Sequence, residues 1–151
     1  MLSKDEVCQL VESIWTTTVD LTVTPTENGD VPSGRHLTGC VHITGGWNGA
    51  ITVDCSAKLA KQASANLFDL KPEEASQEDV YDTLSELTNM TGGNLKALLA
   101  QGFEEPCQLS IPSVTEGADY SLSLPGAREV FKAGFTIAGE PMVVTLLKAE
   151  S

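Results

Sequence analysis

Basic residues are scarce in this chain. Nine lysines and arginines stand against 21 aspartates and glutamates, a net charge of −12 over 151 residues. A field of that sign repels phosphate backbones and anionic lipid, which argues against nucleic-acid binding and membrane-surface attachment. Cysteine is equally sparse: Cys8, Cys40, Cys55 and Cys107 are scattered with no Cys-x-x-Cys pair, the pattern of reduced, mostly buried thiols. The two histidines, His36 and His42, have no Cys or His neighbour at metal-ligand spacing, so no metal site is expected, and both read as surface or strand residues. Long apolar runs are missing too, none approaching the roughly 18–20 residues of a membrane span. The opening Met1-Leu2-Ser3-Lys4-Asp5-Glu6 carries neither the apolar core of an export signal nor a basic leader, and the expectation is a cytoplasmic protein.

What the chain does have is apolar substance. At 41% hydrophobic residues it is too rich for an acidic disordered chain, and its length suits one domain spanning residues 1–151. A chain of this size buries roughly 68–70% of its unfolded surface and needs no disulfide or metal staple. Ser3-Lys4-Asp5-Glu6 is a capping box, and Val7, Leu10, Val11 and Ile14 recur at helical spacing behind it, predicting a helix over Lys4 to Thr18 with Trp15 widening its apolar stripe. Leu21 and Val23 suggest a strand, and Pro25–Arg35 reads as a loop. Strands Leu37–Thr44 and Ala50–Asp54 follow, joined by the glycine-rich turn over 45–49. A helix over Ser56 to Leu70 ends at Lys71-Pro72. A second capping box, Ser76-Gln77-Glu78-Asp79, opens the longest helix, Glu78 to Gln101, with Gly102 at the expected left-handed C-terminal cap. Cys107–Ile111, Tyr120–Leu124, Val130–Ala138 and Met142–Lys148 read as strands of a meander.

His42-Ile43-Thr44-Gly45-Gly46 is faintly echoed by Phe135-Thr136-Ile137-Ala138-Gly139, a hint of two weakly duplicated halves. Helices with antiparallel strand hairpins give an α+β class.

The long helix has two opposed stripes. At roughly 100° per residue, Val80, Leu84, Leu87, Thr91, Leu95 and Leu98 fall in one arc, the core face. Asp82, Glu86, Asn89 and Gly93 lie on the opposite side, with Glu86 and Asn89 one turn apart and able to meet one small target. A carboxamide accepts a hydrogen bond from water and donates another to a phosphoryl oxygen, so it can orient an attacking water, as glutamine does in small GTPases. A carboxylate beside it can anchor a lysine on the protein bearing the phosphoryl group. The same pair could also be an ordinary solvated helix face. Two glycines, Gly92 and Gly93, sit inside this helix at a cost of roughly 0.8–1.0 kcal/mol each relative to alanine. Gly93 continues the polar stripe and would let another backbone approach, while Gly92 could pack closely on a strand. Asn89-Met90-Thr91 matches a glycosylation sequon, an accidental match in the middle of a helix.

Asp82-x3-Glu86-x2-Asn89, followed after 22 residues by Pro112, resembles the signature of the chemotaxis phosphatase family that includes CheC, CheX and FliY. The order of hairpin, helix, long helix and closing strands is similar too. Only one signature is evident: the first helix offers Glu6-x2-Gln9 and Glu12-x2-Trp15, neither with the required asparagine, which points to the CheX-like branch. The resemblance implies dephosphorylation of the aspartyl phosphate on a CheY-like response regulator. It implies that Glu86 pairs with the regulator's lysine and that Asn89 positions the hydrolytic water. Asp82 would orient that pair, Gly93 would admit the partner, and Pro112 would shape the adjoining surface. It further implies Mg2+ on the regulator rather than a cofactor of this chain, and a homodimer. The competing reading is a non-catalytic adaptor or flagellar-switch component that binds a response-regulator domain.

Overall fold

Each long helix begins where the chain supplies a hydroxyl. In the computed structural model, which describes residues 2–27, 32–101, 104–118, 120, 122 and 124–150, Ser3 caps α1 (Lys4–Val19), Ser56 caps α2 (Ala57–Phe68) and Ser76 caps α3 (Gln77–Ala100). The hydroxyls accept from Glu6, Leu59 and Asp79 amides at 3.2, 3.1 and 3.0 Å, satisfying donors that a helix start leaves open. Both predicted capping boxes close, with Glu6 and Asp79 reaching back to the Ser3 and Ser76 amides. α1 and α2 end on aspartates in the left-handed region, Asp20 at φ 52° and Asp69 at φ 56°. Asn66 donates to the Val19 carbonyl at 2.8 Å, tying α2 to the end of α1.

The strands are β1 (Val23–Thr26), β2 (Arg35–Gly45), β3 (Gly49–Ser56), β4 (Cys107–Leu109), β5 (Ser113–Ala118), β6 (Ala127–Ile137) and β7 (Glu140–Ala149). They make one antiparallel sheet in the order β1-β6-β7-β3-β2-β4, with β5 also paired to β2. Side chains alternate across a strand, and that alternation sends Leu37, Val41 and Ile43, with Ile51, Val53 and Cys55, into the core beneath the helices. Met142, Val144 and Leu146 of β7 and Phe135 of β6 complete the layer, closed from above by Val7, Val11, Trp15, Leu59, Leu84, Leu87 and Leu95. Among the described residues no helix is long and apolar enough to cross a membrane.

The opposite face of the sheet is polar yet largely covered. His36, Thr38, Asp54 and Thr145 are all buried there. Tyr120 stacks on the His36 ring with centroids 4.1 Å apart and 11° between planes. Its hydroxyl shares a 2.7 Å hydrogen bond with Thr38, whose own hydroxyl donates to Asp54 at 2.5 Å. Burial pushes the Asp54 carboxyl above the usual range, against the opposing pull of Thr38, His36 and Lys132.

Several expectations need correction. The closing strands are not a meander: β4 and β5 both pair with β2, whereas β6 and β7 form a hairpin whose second strand joins β3. The strand expected over Tyr120–Leu124 lies earlier, at β5; Tyr120, Leu122 and Leu124 are outside any strand, and 121 and 123 lie outside the described residues. The first of these strands stops at Leu109 rather than Ile111. Pro25 and Thr26 belong to β1, not to the loop that follows. Leu98 is half-buried rather than fully buried, packed against the edge of the core cluster near the end of α3. The Gly102 cap falls outside the described residues. His36 is in a strand as expected but is enclosed, while His42 of the same strand is exposed.

Candidate functional site

α3 lies close on β2 because two glycines remove the side chains that would hold the elements apart. A Cβ on Gly39 would collide with the buried Thr88 side chain, and a Cβ on Gly92 would come within 2.6 Å of Val41 Cγ2 and 3.3 Å of Leu109 Cδ1. Gly92 therefore serves close packing, and this outweighs its cost within a helix. Gly93 has open space where its Cβ would stand, leaving a smooth place on the polar side of α3.

With Leu84, Leu87, Thr88, Thr91 and Leu95 held in the core, the other face of α3 is turned outward. Asp82, Glu86 and Asn89 are exposed, and with Ser85 they form one wall of an open groove of about 500 Å³. The opposite wall is Leu109, Ser110, Ile111 and Pro112. The structure thus brings Asp82, Glu86, Asn89 and Pro112 together; Gly93, one turn along, does not line the groove. The Asp82, Glu86 and Asn89 side chains make no hydrogen bond or ion pair with any described residue. Two carboxylates, one carboxamide and no basic side chain line the cleft, so its field favours a cationic group on whatever enters. Among the described residues no group of three or more His, Cys, Asp and Glu is placed to hold a metal ion.

The opposite wall is built by an irregularity in the sheet. Leu109 pairs with Ile43 and Ser113 with Cys40, so three residues, Ser110 to Pro112, face only two on β2. β4 and β5 are in effect one strand interrupted by a bulge, a device that re-aims side chains beside functional sites. Proline at the bulge gives up no ladder hydrogen bond. Ser110 ties the bulge to β2: its amide donates to the His42 carbonyl at 2.9 Å, and its hydroxyl accepts from the His42 amide at 2.9 Å. At the far end of β5, Glu116 accepts from Tyr81 of α3 at 2.8 Å and from Arg35 of β2 at 2.8 Å, fastening strand to helix. Burial raises the Glu116 carboxyl, but the hydrogen bonds from Tyr81, Gln77 and Arg35 outweigh it and hold the group below its ordinary value.

Sequence reasoning missed Ser85, Ser110 and Ile111. The only signal for the last two was the Ile111-Pro112 step itself. An extra residue in a ladder shows only once the register is known.

No curated protein matches the chain. Solved structures do. CheX of Vibrio vulnificus superposes with a TM-score of 0.77 at 18% identity, over 95% of this chain and 93% of that one. CheX of Desulfovibrio desulfuricans gives 0.76 at 20% identity, covering 95% and 97%. The CheX–CheY–BeF3–Mg2+ complex from Borrelia burgdorferi gives 0.77 at 18% identity, covering 99% and 100%. At these identities the likeness is one of fold. The family model described as chemotaxis phosphatase CheX matches residues 37–136, a span that contains the whole groove with Glu86, Asn89 and Pro112. With two thirds of its length under that model and the same fold throughout, the chain belongs to the CheX family of chemotaxis phosphatases.

Proposed function

We propose that this chain hydrolyses the aspartyl phosphate of a CheY-like response regulator, with Asn89 orienting the water and Glu86 pairing with the regulator's lysine. The observation that carries the reading is a carboxylate and a carboxamide, one helical turn apart, exposed in an acid-lined groove and bonded to no described residue. Side chains left this way are free to complete a site on another molecule.

The water oxygen bonds to phosphorus as the phosphorus–oxygen bond to the aspartate carboxylate breaks, giving inorganic phosphate and the free carboxylate. The proton of the water passes to a phosphate oxygen. Asn89 accepts from the water with its carbonyl oxygen and donates from its amide nitrogen to a phosphoryl oxygen, fixing the line of attack without removing a proton. Glu86 forms a charge-assisted hydrogen bond with the lysine. Asp82 adds negative charge that draws the lysine in, and Gly93 leaves room for the regulator's backbone. Mg2+ would belong to the regulator, where it offsets phosphoryl charge. The reading includes a cytoplasmic homodimer whose interface leaves the groove open.

The test is single-turnover decay of phosphorylated receiver domains under saturating protein. Wild type should accelerate decay of its cognate regulator, and Asn89→Ala should lose roughly 10²–10³-fold of that acceleration while still binding, the scale of removing one well-placed transition-state hydrogen bond. An Asn89→Ala protein that accelerates decay as well as wild type would overturn the water-orienting role. Binding with no acceleration by wild type would favour the adaptor reading.

A further inference from the structure

One wall of the groove carries chemistry that hydrolysis does not use. Ile111 is 89% exposed, far beyond the next most exposed large apolar side chain among the described residues, Leu122 at 51%. An isolated exposed leucine or isoleucine is ordinary, but this one stands at the apex of the bulge, across the groove from Glu86 and Asn89. Its backbone is held on both sides. Leu109 and Ser113 are in register on β2, Ser110 makes its reciprocal bonds to His42, and the Ser110 hydroxyl donates to the Ile111 carbonyl at 3.2 Å. Pro112 restricts the residue before it to extended backbone. The knob is therefore set in advance, so seating it in a partner incurs little ordering entropy.

The geometry points to Ile111 as the apolar anchor by which the phosphorylated face of the response regulator docks, governing affinity and partner choice rather than turnover. This rests on the proposed phosphatase reading. The occupant follows from the groove: a body that seats a cation between its walls beside Asp82 and Glu86 lies against the wall that Ile111 forms. A buried apolar anchor beside a polar, charge-matched cleft is the arrangement in which few residues carry most of the binding energy. The regulator accordingly presents an apolar depression beside its lysine and phosphoryl group.

The experiment measures KM and kcat for decay of the cognate phosphorylated regulator with wild type, Ile111→Ser and Ile111→Val. It also titrates each protein with the regulator loaded with beryllium fluoride and Mg2+. Loss of a buried isoleucine contact corresponds to a tenfold or larger drop in affinity. Ile111→Ser should raise KM and weaken binding by at least that factor with kcat within twofold of wild type, and Ile111→Val should retain most of the affinity. An Ile111→Ser protein with unchanged KM and binding overturns the anchor and leaves the phosphatase reading standing. A fall in kcat alone also overturns it. Should wild type bind the loaded regulator without hydrolysing, a tenfold weakening by Ile111→Ser still supports the anchor and the phosphatase reading fails. If wild type binds no receiver domain, both fall. Because the side chain is exposed, circular dichroism should show all three proteins folded alike.

Discussion

Two polar regions of this molecule are built on opposite principles. On the outer sheet face His36, Thr38 and Asp54 are buried beside a half-buried Tyr120, stacked or bonded to one another, with a carboxyl that burial pushes upward. On α3, Glu86 and Asn89 are exposed and bonded to no described residue. A search for perturbed ionisation would stop at the first region, since buried charge and shifted groups commonly mark active sites. Yet a protein that completes a catalytic constellation on another molecule must keep its contribution unsatisfied until the two meet. The first region turns its groups on one another, leaving the buried His36 Nε2 without a hydrogen bond among the described residues; the second turns its groups outward, as the proposed encounter with a regulator requires.

That contrast can be broken most severely between the two regions, at Gly39. Its neighbour Thr38 points to the outer network while Gly39 itself faces Thr88 on α3. Gly39→Ala should cost about 1–3 kcal/mol by overpacking. Thermal unfolding would show it, and Thr88→Ala in the same chain should recover most of the loss, since the Thr88 hydroxyl has no partner to forfeit. If the double variant is no more stable than Gly39→Ala, the clash is not the cause. A smaller effect, of opposite character, is expected at Glu86→Ala: about tenfold weaker regulator binding and slower turnover, with a melting temperature equal to wild type because alanine favours the helix and no internal bond is lost. Loss of stability there would mean the polar stripe is structural after all.

The mildest change should be Asp54→Asn, with activity untouched. Burial holds the Asp54 pKa above its unfolded value, so its favourable contribution is complete below the unfolded pKa and is lost as pH rises through the folded one. Replacing the ionisable group while keeping an oxygen for the Thr38 hydroxyl should therefore raise the melting temperature at neutral pH, the difference shrinking in acid. A variant less stable at neutral pH than in acid, relative to wild type, would reverse the assignment.

The helices were legible in advance because their signals are local. Ser3 and Ser76 with their acidic third residues mark two starts, and the 3.6-residue stripe from Val80 to Leu95 oriented α3 and so exposed Glu86 and Asn89. The β2–β3 hairpin was legible from its glycines. What was hidden depends on pairing between distant segments. Ser113–Ala118 is a half-solvated strand on β2 with no apolar run to announce it, whereas Tyr-Ser-Leu-Ser-Leu alternates like a strand but spends Tyr120 on the His36 ring. Close packing of Gly92 on a strand was open from the sequence, but which strand was not, and Gly39 meant nothing specific until α3 and β2 were seen to meet there; the bulge at Ser110–Pro112 exists only as a mismatch of two registers.

β2 has a consequence beyond architecture. It supports α3 through Gly39 and Val41 on one side and carries both β4 and β5 along its edge. Under the proposed function, the groups assigned to hydrolysis and to recognition stand on two separate stretches of chain gauged from a single ruler. On that proposal, a change at the apex of one bulge exchanges the correspondent while Glu86 and Asn89 keep the reaction unaltered.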